Sequence, residues 1–87
     1  HAGTTPMDLR DDPMLKTCRI IEEITEEVCA FEGMVCTVGR IHAHPGTYNV
    51  IPDTVDFSLD IRYKEMEPMY AIIEKIQEKY GASVENS

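Results

Sequence analysis

The sequence predicts an α+β fold in which two helices cover one face of an antiparallel β-sheet. Three patterns predict it: an amphipathic helical pattern after Asp12-Pro13, a strictly alternating pattern over residues 55–63, and a second helical pattern after Glu67-Pro68. Two amphipathic helices bury their apolar stripes most simply against one face of a half-buried sheet, which gives a two-layer sandwich.

The first helix is predicted to begin at Asp12, whose carboxylate can accept hydrogen bonds from free backbone N–H groups, with Pro13 at the first helical position. Gly33 suits the position just after the helix, where a left-handed conformation is common. The free thiol of Cys18 is predicted to face the core as a small apolar group. The apolar residues recur at spacings of three and four, and they are Met14, Cys18, Ile21, Ile24, Val28 and Phe31.

Two strands are predicted next. Residues 34–43 are rich in β-branched side chains, and Gly39 within them indicates a bulge or a close backbone approach. Residues 55–63 alternate between apolar and polar side chains, so one face of that strand is buried. The connection between the two strands is about ten residues long, more than a tight hairpin needs, and loops of that length are often functional.

The second helix is predicted to run from Glu67-Pro68 to Tyr80, with Gly81 ending it. The element order is therefore helix, strand, strand, helix. A two-stranded sheet is marginally stable in water, so we expect at least one further strand outside residues 1–87 and interpret the chain as one domain of a larger protein.

Composition excludes several classes of function. The chain of 87 residues has 16 acidic and 8 basic side chains and a formal charge of −8, which disfavours nucleic acid and anionic membranes as partners. No apolar run is long enough to span a bilayer, and no signal peptide is apparent. Three cysteines without CxxC spacing predict reduced thiols and a cytoplasmic location.

The candidate functional residues are few. His42 and His44 lie two residues apart, but two histidines without a third ligand rarely hold a metal ion. Arg62, on the polar face of its strand, suits either a bidentate clamp on a carboxylate or a salt bridge to Asp60. Asn49, in the sequence Tyr-Asn-Val, suits turn formation by hydrogen bonding of its side chain to the backbone.

Three segments resemble a known family. HAGTTPM at the start, TVGRI at residues 37–41 and PGTYNVIPDTVDFSLDIR at residues 45–62 closely resemble the lid and dimerisation domain of the amidohydrolase branch of the M20 peptidase family. That branch contains N-carbamoyl-L-amino acid hydrolases, allantoate amidohydrolases and β-ureidopropionases. The resemblance implies a ferredoxin-like βαββαβ unit whose first strand is absent from residues 1–87.

The resemblance also implies roles for single residues. His1 corresponds to a catalytic histidine that stabilises the oxyanion, Asn49 contacts the polar substrate, and Arg62 binds the substrate carboxylate. No cofactor is expected in this domain itself. The two divalent metal ions of the parent enzyme, Zn, Mn or Co, belong to a separate catalytic domain, so the chain alone is expected to be inactive.

The implied partners are a second copy of the domain in a homodimer, paired through residues 34–43, the catalytic domain of the parent chain, and a small carboxylate-bearing substrate. The leading prediction is the lid of an enzyme that hydrolyses N-carbamoyl-L-amino acids. The alternatives are an allantoate amidohydrolase lid and a free-standing α+β protein-interaction module. An aminopeptidase lid from the wider family is disfavoured by HAGTTPM.

Overall fold

The computed structural model describes residues 3–85 and shows an α+β architecture, as the sequence predicts. A short 3₁₀ helix, Met7–Leu9, precedes the regular elements. In chain order these elements are α1 (Pro13–Cys29), β1 (Val35–Thr37), β2 (Ile41–His44), β3 (Thr54–Phe57), β4 (Asp60–Arg62) and α2 (Met66–Tyr80). Within the described residues, no helix is both long and apolar enough to cross a membrane.

The core lies between the helices and one face of the strands. Its buried side chains come from α1, from α2 and from Met34 just before β1. Half-buried side chains of the strands, such as Phe57 and Ile61, and of Leu59 between β3 and β4 pack against it. The two-layer arrangement with both helices on one face is therefore confirmed. The buried apolar residues are Ile20, Ile24, Val28, Met34, Ile72 and Ile76.

The helices lie antiparallel to each other and are joined at their exposed sides by two ion pairs. Lys75 Nζ lies 2.6 Å from Glu27 Oε1, and Lys79 Nζ lies 2.5 Å from Glu23 Oε1. From one ion pair to the other the residue numbers rise along α2 and fall along α1, so the two helices run antiparallel. The hydrogen bond from Lys79 lowers the pKa of the Glu23 carboxyl, and the same contact raises the pKa of Lys79.

Helix α1 is rotated relative to the sequence prediction. Ile20 and Thr17 are buried, whereas Ile21 is only half-buried and Cys18 is exposed. Thr17 lies one turn before Ile20 and Ile21, so it shares the buried face despite its hydroxyl group. The prediction that Cys18 faces the core is wrong, because the apolar stripe is wide enough for two rotations and tertiary packing selects one of them.

The helix ends also differ in part from the prediction. Asp12 caps α1 as expected, with its Oδ1 accepting from the Met14 backbone N–H at 2.9 Å. However, α1 ends at Cys29, so Gly33, at a φ of 86°, turns the chain toward β1 rather than capping the helix. Helix α2 begins one residue before Glu67, and Gly81 ends it with a φ of 67°, as predicted.

Each predicted strand is divided in two. β1 pairs antiparallel with β4, and β2 pairs antiparallel with β3. Thr37 faces Asp60 in the first pair, and Ile41 faces Phe57 in the second. Three residues therefore separate β1 from β2, whereas two residues separate β3 from β4. One extra residue on the first strand is a β-bulge, and the bulge predicted at Gly39 is confirmed.

The bulge changes which side chains face the core. Successive side chains in a strand point to opposite faces, so one extra residue exchanges the two faces for everything after it. Cys36 before the bulge and Ala43 after it are both half-buried, although one has an even number and the other an odd number. His42 and His44 consequently lie on the exposed outer face, opposite the helices.

Backbone and side-chain hydrogen bonds hold the bulge in place. The Ser58 N–H donates to the Arg40 carbonyl oxygen at 2.9 Å, and the Arg40 N–H donates to Ser58 Oγ at 3.0 Å. The β1–β4 pair and the β2–β3 pair therefore remain joined across the bulge, and the two pairs together are called the ribbon. The Ser58 hydroxyl thus accepts a hydrogen bond from the Arg40 backbone N–H, which at the bulge is not paired with a backbone carbonyl of the partner strand.

Candidate functional site

Arg62 lies on the outer face of β4 and makes a bidentate ion pair with Asp60, two residues earlier on the same face. Its Nε donates to Asp60 Oδ1 at 3.0 Å, and its Nη2 donates to Oδ2 at 3.1 Å. The hydrogen bonds lower the pKa of the Asp60 carboxyl and raise that of Arg62. Both side chains are largely exposed, at 77% and 55%, so this pair is accessible to a ligand.

The geometry of the pair leaves one edge of the guanidinium directed away from Asp60. Asp60 takes the edge formed by Nε and Nη2, and the planar group presents a second edge, formed by Nη1 and Nη2, for another planar anion. Arg62 can therefore make its salt bridge to Asp60 and clamp a second carboxylate in one and the same conformation.

Asn49 lies in the loop between β2 and β3 and is half-buried. This loop packs near the start of α1, where an open groove of about 400 Å³ is bordered by Asp12 and Met14 together with loop residues such as Tyr48 and Val50. The backbone hydrogen bond from the Asp53 N–H to the His44 carbonyl oxygen, 2.7 Å long, closes the loop at its base.

Asn49 and Arg62 lie at opposite ends of the domain. The loop with Asn49 adjoins Thr54, and Arg62 follows eight residues further along the strand, about 26 Å at 3.3 Å per residue. Helix α1 spans the same length, since its 17 residues measure about 25 Å. Asn49 and Arg62 of a single copy are therefore too far apart to line one small pocket, because the loop lies at the far end of the paired strands.

His1, the predicted catalytic residue, lies outside the described residues 3–85. Its proposed part in stabilising an oxyanion remains a prediction from the resemblance.

The structure adds a cluster that the sequence did not reveal. The ligand atoms of His42, His44 and Asp56 all lie within 4.8 Å of one another. His44 Nε2 is 2.8 Å from Asp56 Oδ2, and the two imidazole rings have centroids 4.1 Å apart. The contact with His44 lowers the pKa of the Asp56 carboxyl. The histidine pair was visible in the sequence, but its third member comes from the neighbouring strand.

Comparison with known proteins identifies the family of this chain. The family model of the peptidase dimerisation domain matches residues 1–86, nearly the whole chain. The chain belongs to the peptidase dimerisation domain family. An N-carbamoyl-L-amino-acid amidohydrolase from Pseudomonas sp. (strain NS671) is 50% identical over 82 residues, covering 91% of this chain and 20% of that protein. The allantoate amidohydrolase of Bacillus subtilis (strain 168) is 43% identical over 67 residues, covering 74% and 16%.

Solved structures agree with the fold of this dimerisation domain. AtUAH in complex with (S)-hydroxyglycine superposes with a TM-score of 0.82 at 30% identity, covering 93% of this chain and 20% of that one. An amidase of the hydantoinase/carbamoylase family from Burkholderia phymatum gives 0.75 at 31% identity, covering 87% and 19%. The dimerisation domain thus spans about a fifth of the length of these relatives.

Proposed function

We propose that this dimerisation domain is the substrate-binding lid of a larger, metal-dependent amidohydrolase that acts on N-carbamoyl-L-amino acids. The observation that carries the proposal is the 50% identity with an N-carbamoyl-L-amino-acid amidohydrolase over almost the entire domain. The exposed guanidinium of Arg62 supports it, because one edge of this group is directed away from Asp60 and an amino-acid derivative offers a carboxylate of matching geometry.

In this proposal Asp60 positions the arginine and Arg62 binds the substrate. The ion pair fixes the plane of the guanidinium before the substrate arrives, so less side-chain freedom is lost when the substrate carboxylate binds at the second edge. A carboxylate held by two parallel hydrogen bonds has its orientation fixed as well as its position.

The separation of Asn49 and Arg62 implies a site shared between two copies. A substrate the size of an amino acid cannot contact both residues of one copy across about 25 Å, the length of α1. A two-fold dimer whose axis is perpendicular to the strands brings one end of each copy to the opposite end of the other, so Arg62 of one subunit and Asn49 of its partner can serve the same substrate. Each dimer would then hold two equivalent sites.

The open sheet edge supports such a dimer. Among the described residues, β1 pairs only with β4 and β2 only with β3, so the outer edge of β1 and β2 is uncovered. Val35 and Ile41 on these strands are 56% and 47% exposed. Unpaired backbone groups flanked by apolar side chains favour strand addition by a second copy.

The metal chemistry is proposed to come from the parent's catalytic domain, where bound divalent ions would activate water for attack on the carbamoyl group. His42, His44 and Asp56 form a single three-group cluster among the described residues, which does not fit a two-metal centre. His1 is proposed to donate a hydrogen bond to the oxyanion, and this domain alone is proposed to be inactive.

A complementation experiment on the full-length enzyme tests the shared site. Asn49→Ala and Arg62→Lys are prepared separately, and each is expected to lower kcat/KM on the order of a hundredfold. The alanine lacks the amide that would contact the substrate, and the lysine cannot reproduce the arginine's two parallel hydrogen bonds. The two variants are then mixed, dissociated and reassociated. In a mixed dimer one site carries both lesions and the other carries neither, so about a quarter of wild-type activity should return.

The controls distinguish the alternatives. Arg40→Lys, an exposed arginine on the same ribbon, should retain wild-type activity. If Asn49 and Arg62 of one copy served the same site, every site in the mixed dimer would carry one lesion and no activity would return, which would reject the shared site. Full activity of the Arg62→Lys variant would reject the carboxylate clamp.

Allantoate is the second candidate substrate, supported by 43% identity with an allantoate amidohydrolase. The same full-length enzyme should therefore be assayed with allantoate and with N-carbamoyl-L-amino acids. A larger kcat/KM for allantoate would replace the leading proposal with this one.

A further inference from the structure

Three potential metal ligands are assembled on the outer face of the β2–β3 ribbon. His42 lies directly opposite Asp56 in the strand register, and His44 lies two residues further on the same face. Side chains of directly opposed and diagonal neighbours are within reach of each other across two antiparallel strands. All three side chains are exposed, so an ion from solvent can reach them and they can rotate without disturbing the core.

The backbone, not chance side-chain contact, brings these groups together. The bulge between β1 and β2 exchanges the faces of the strand, and without it both histidines would point toward the helices while Asp56 pointed to solvent. His44 Nε2 already contacts Asp56 Oδ2 at 2.8 Å, and the His42 ring lies beside the His44 ring, with centroids 4.1 Å apart.

We propose that His42, His44 and Asp56 bind a single divalent transition-metal ion of the Zn²⁺ type. Two imidazole nitrogens and one carboxylate oxygen form a ligand set that zinc accepts readily, whereas Mg²⁺ and Ca²⁺ prefer oxygen ligands alone. Three protein ligands leave the fourth tetrahedral position for water. The domain's net charge of −8 raises the local concentration of cations around the site.

The required movement is small. Ligand atoms bound at 2.0–2.1 Å to a tetrahedral ion lie about 3.4 Å apart. The present atoms lie within 4.8 Å, so the ion would replace the hydrogen bond between His44 and Asp56 and draw the His42 ring inward. The site is separate from Arg62, which lies six residues beyond Asp56, about 20 Å along the ribbon.

Zn²⁺ titration of the full-length enzyme by calorimetry tests the proposal, with the catalytic domain saturated with metal beforehand. It is made in a Cys18→Ser/Cys29→Ser background, which removes the two exposed thiols as competing ligands. One additional ion should bind per chain, and Asp56→Asn or His42→Ala should weaken its binding about tenfold or more. The matched control is Asp60→Asn, which neutralises another exposed carboxylate on the same ribbon and should leave the affinity unchanged.

Two further measurements complete the test. Long-range ¹H–¹⁵N spectra should show the ring nitrogens of His42 and His44 shifting together on Zn²⁺ addition, and Mg²⁺ should produce no such shift. Equal Zn²⁺ affinity in the parent chain and the Asp56→Asn variant would overturn the proposal. It would also be overturned if the affinity were the same in denaturing urea, because a site formed by the ribbon requires the folded state.

Discussion

The rotation of α1 can be measured with two adjacent isoleucines. Ile20 is only 5% exposed, whereas Ile21 is half-buried. Ile→Ala removes three carbons, and at about 0.8 kcal/mol for each buried group the lost transfer free energy is about 2.4 kcal/mol. Adding a residual cavity, Ile20→Ala should lower the free energy of unfolding by about 3 kcal/mol. Ile21→Ala removes the same atoms from a side chain that is already partly exposed, so it should leave no enclosed cavity and should cost less, about 1.5–2 kcal/mol.

Urea unfolding followed by far-UV circular dichroism measures both values. Because the two variants have the same composition and lie on the same helix, differences in helix propensity cancel between them. Cys18→Ala serves as a control on the exposed side and should change the free energy of unfolding by less than about 0.5 kcal/mol. If Ile21→Ala proved as costly as Ile20→Ala or costlier, α1 would not have the rotation that buries Ile20.

Two further predictions concern the ribbon and its loop. Gly46 has a φ of 84°, and an added Cβ would lie 3.1 Å from the Ala43 carbonyl oxygen, so Gly46→Ala should destabilise the domain by about 1–2 kcal/mol in thermal unfolding. Gly39→Ala should be nearly neutral, because its backbone is not left-handed and the added Cβ would make only an ordinary contact, 3.9 Å, with Ser58 Oγ. The pKa of Asp56 lies below its ordinary value of 3.8 because it hydrogen-bonds to His44, so the resulting stabilisation is present above 3.8 and lost as the pH falls through the lowered pKa. An NMR titration should show His44→Ala returning the Asp56 pKa toward 3.8, and an unchanged pKa would contradict this cause.

The elements with strong local signals could be read from the sequence. Asp12-Pro13 determined where α1 begins, because a capping carboxylate followed by proline satisfies or removes the free N–H groups. Gly81 determined where α2 ends, since it adopts a left-handed conformation. The alternation over residues 55–63 determined which side chains face the core, and the family resemblance carried by the quoted motifs was confirmed by the match to residues 1–86.

Tertiary packing decided what local patterns left open. The apolar stripe of α1 permitted two rotations, and contact with α2 and the strands selected the one that buries Ile20. Gly39 indicated a bulge, but the exchange of faces that follows from it depends on the register with the partner strand. A one-residue change in register moves every later side chain to the other face, so the placement of His42 could not be derived from its own strand.

The candidate sites show the same division between local and long-range information. The sequence placed Arg62 and Asp60 on one strand face, because residues two apart in an uninterrupted strand share a face. The sequence could not show that Asp56 lies beside His44, because that contact depends on the register between β2 and β3. Nor could it show that Asn49 and Arg62 lie a domain length apart, because that distance depends on the path of the loop between β2 and β3. The sequence by itself therefore determined the residue types and their local periodicity, while the strand register and the path of the loop, which only the tertiary structure defines, decided which residues meet.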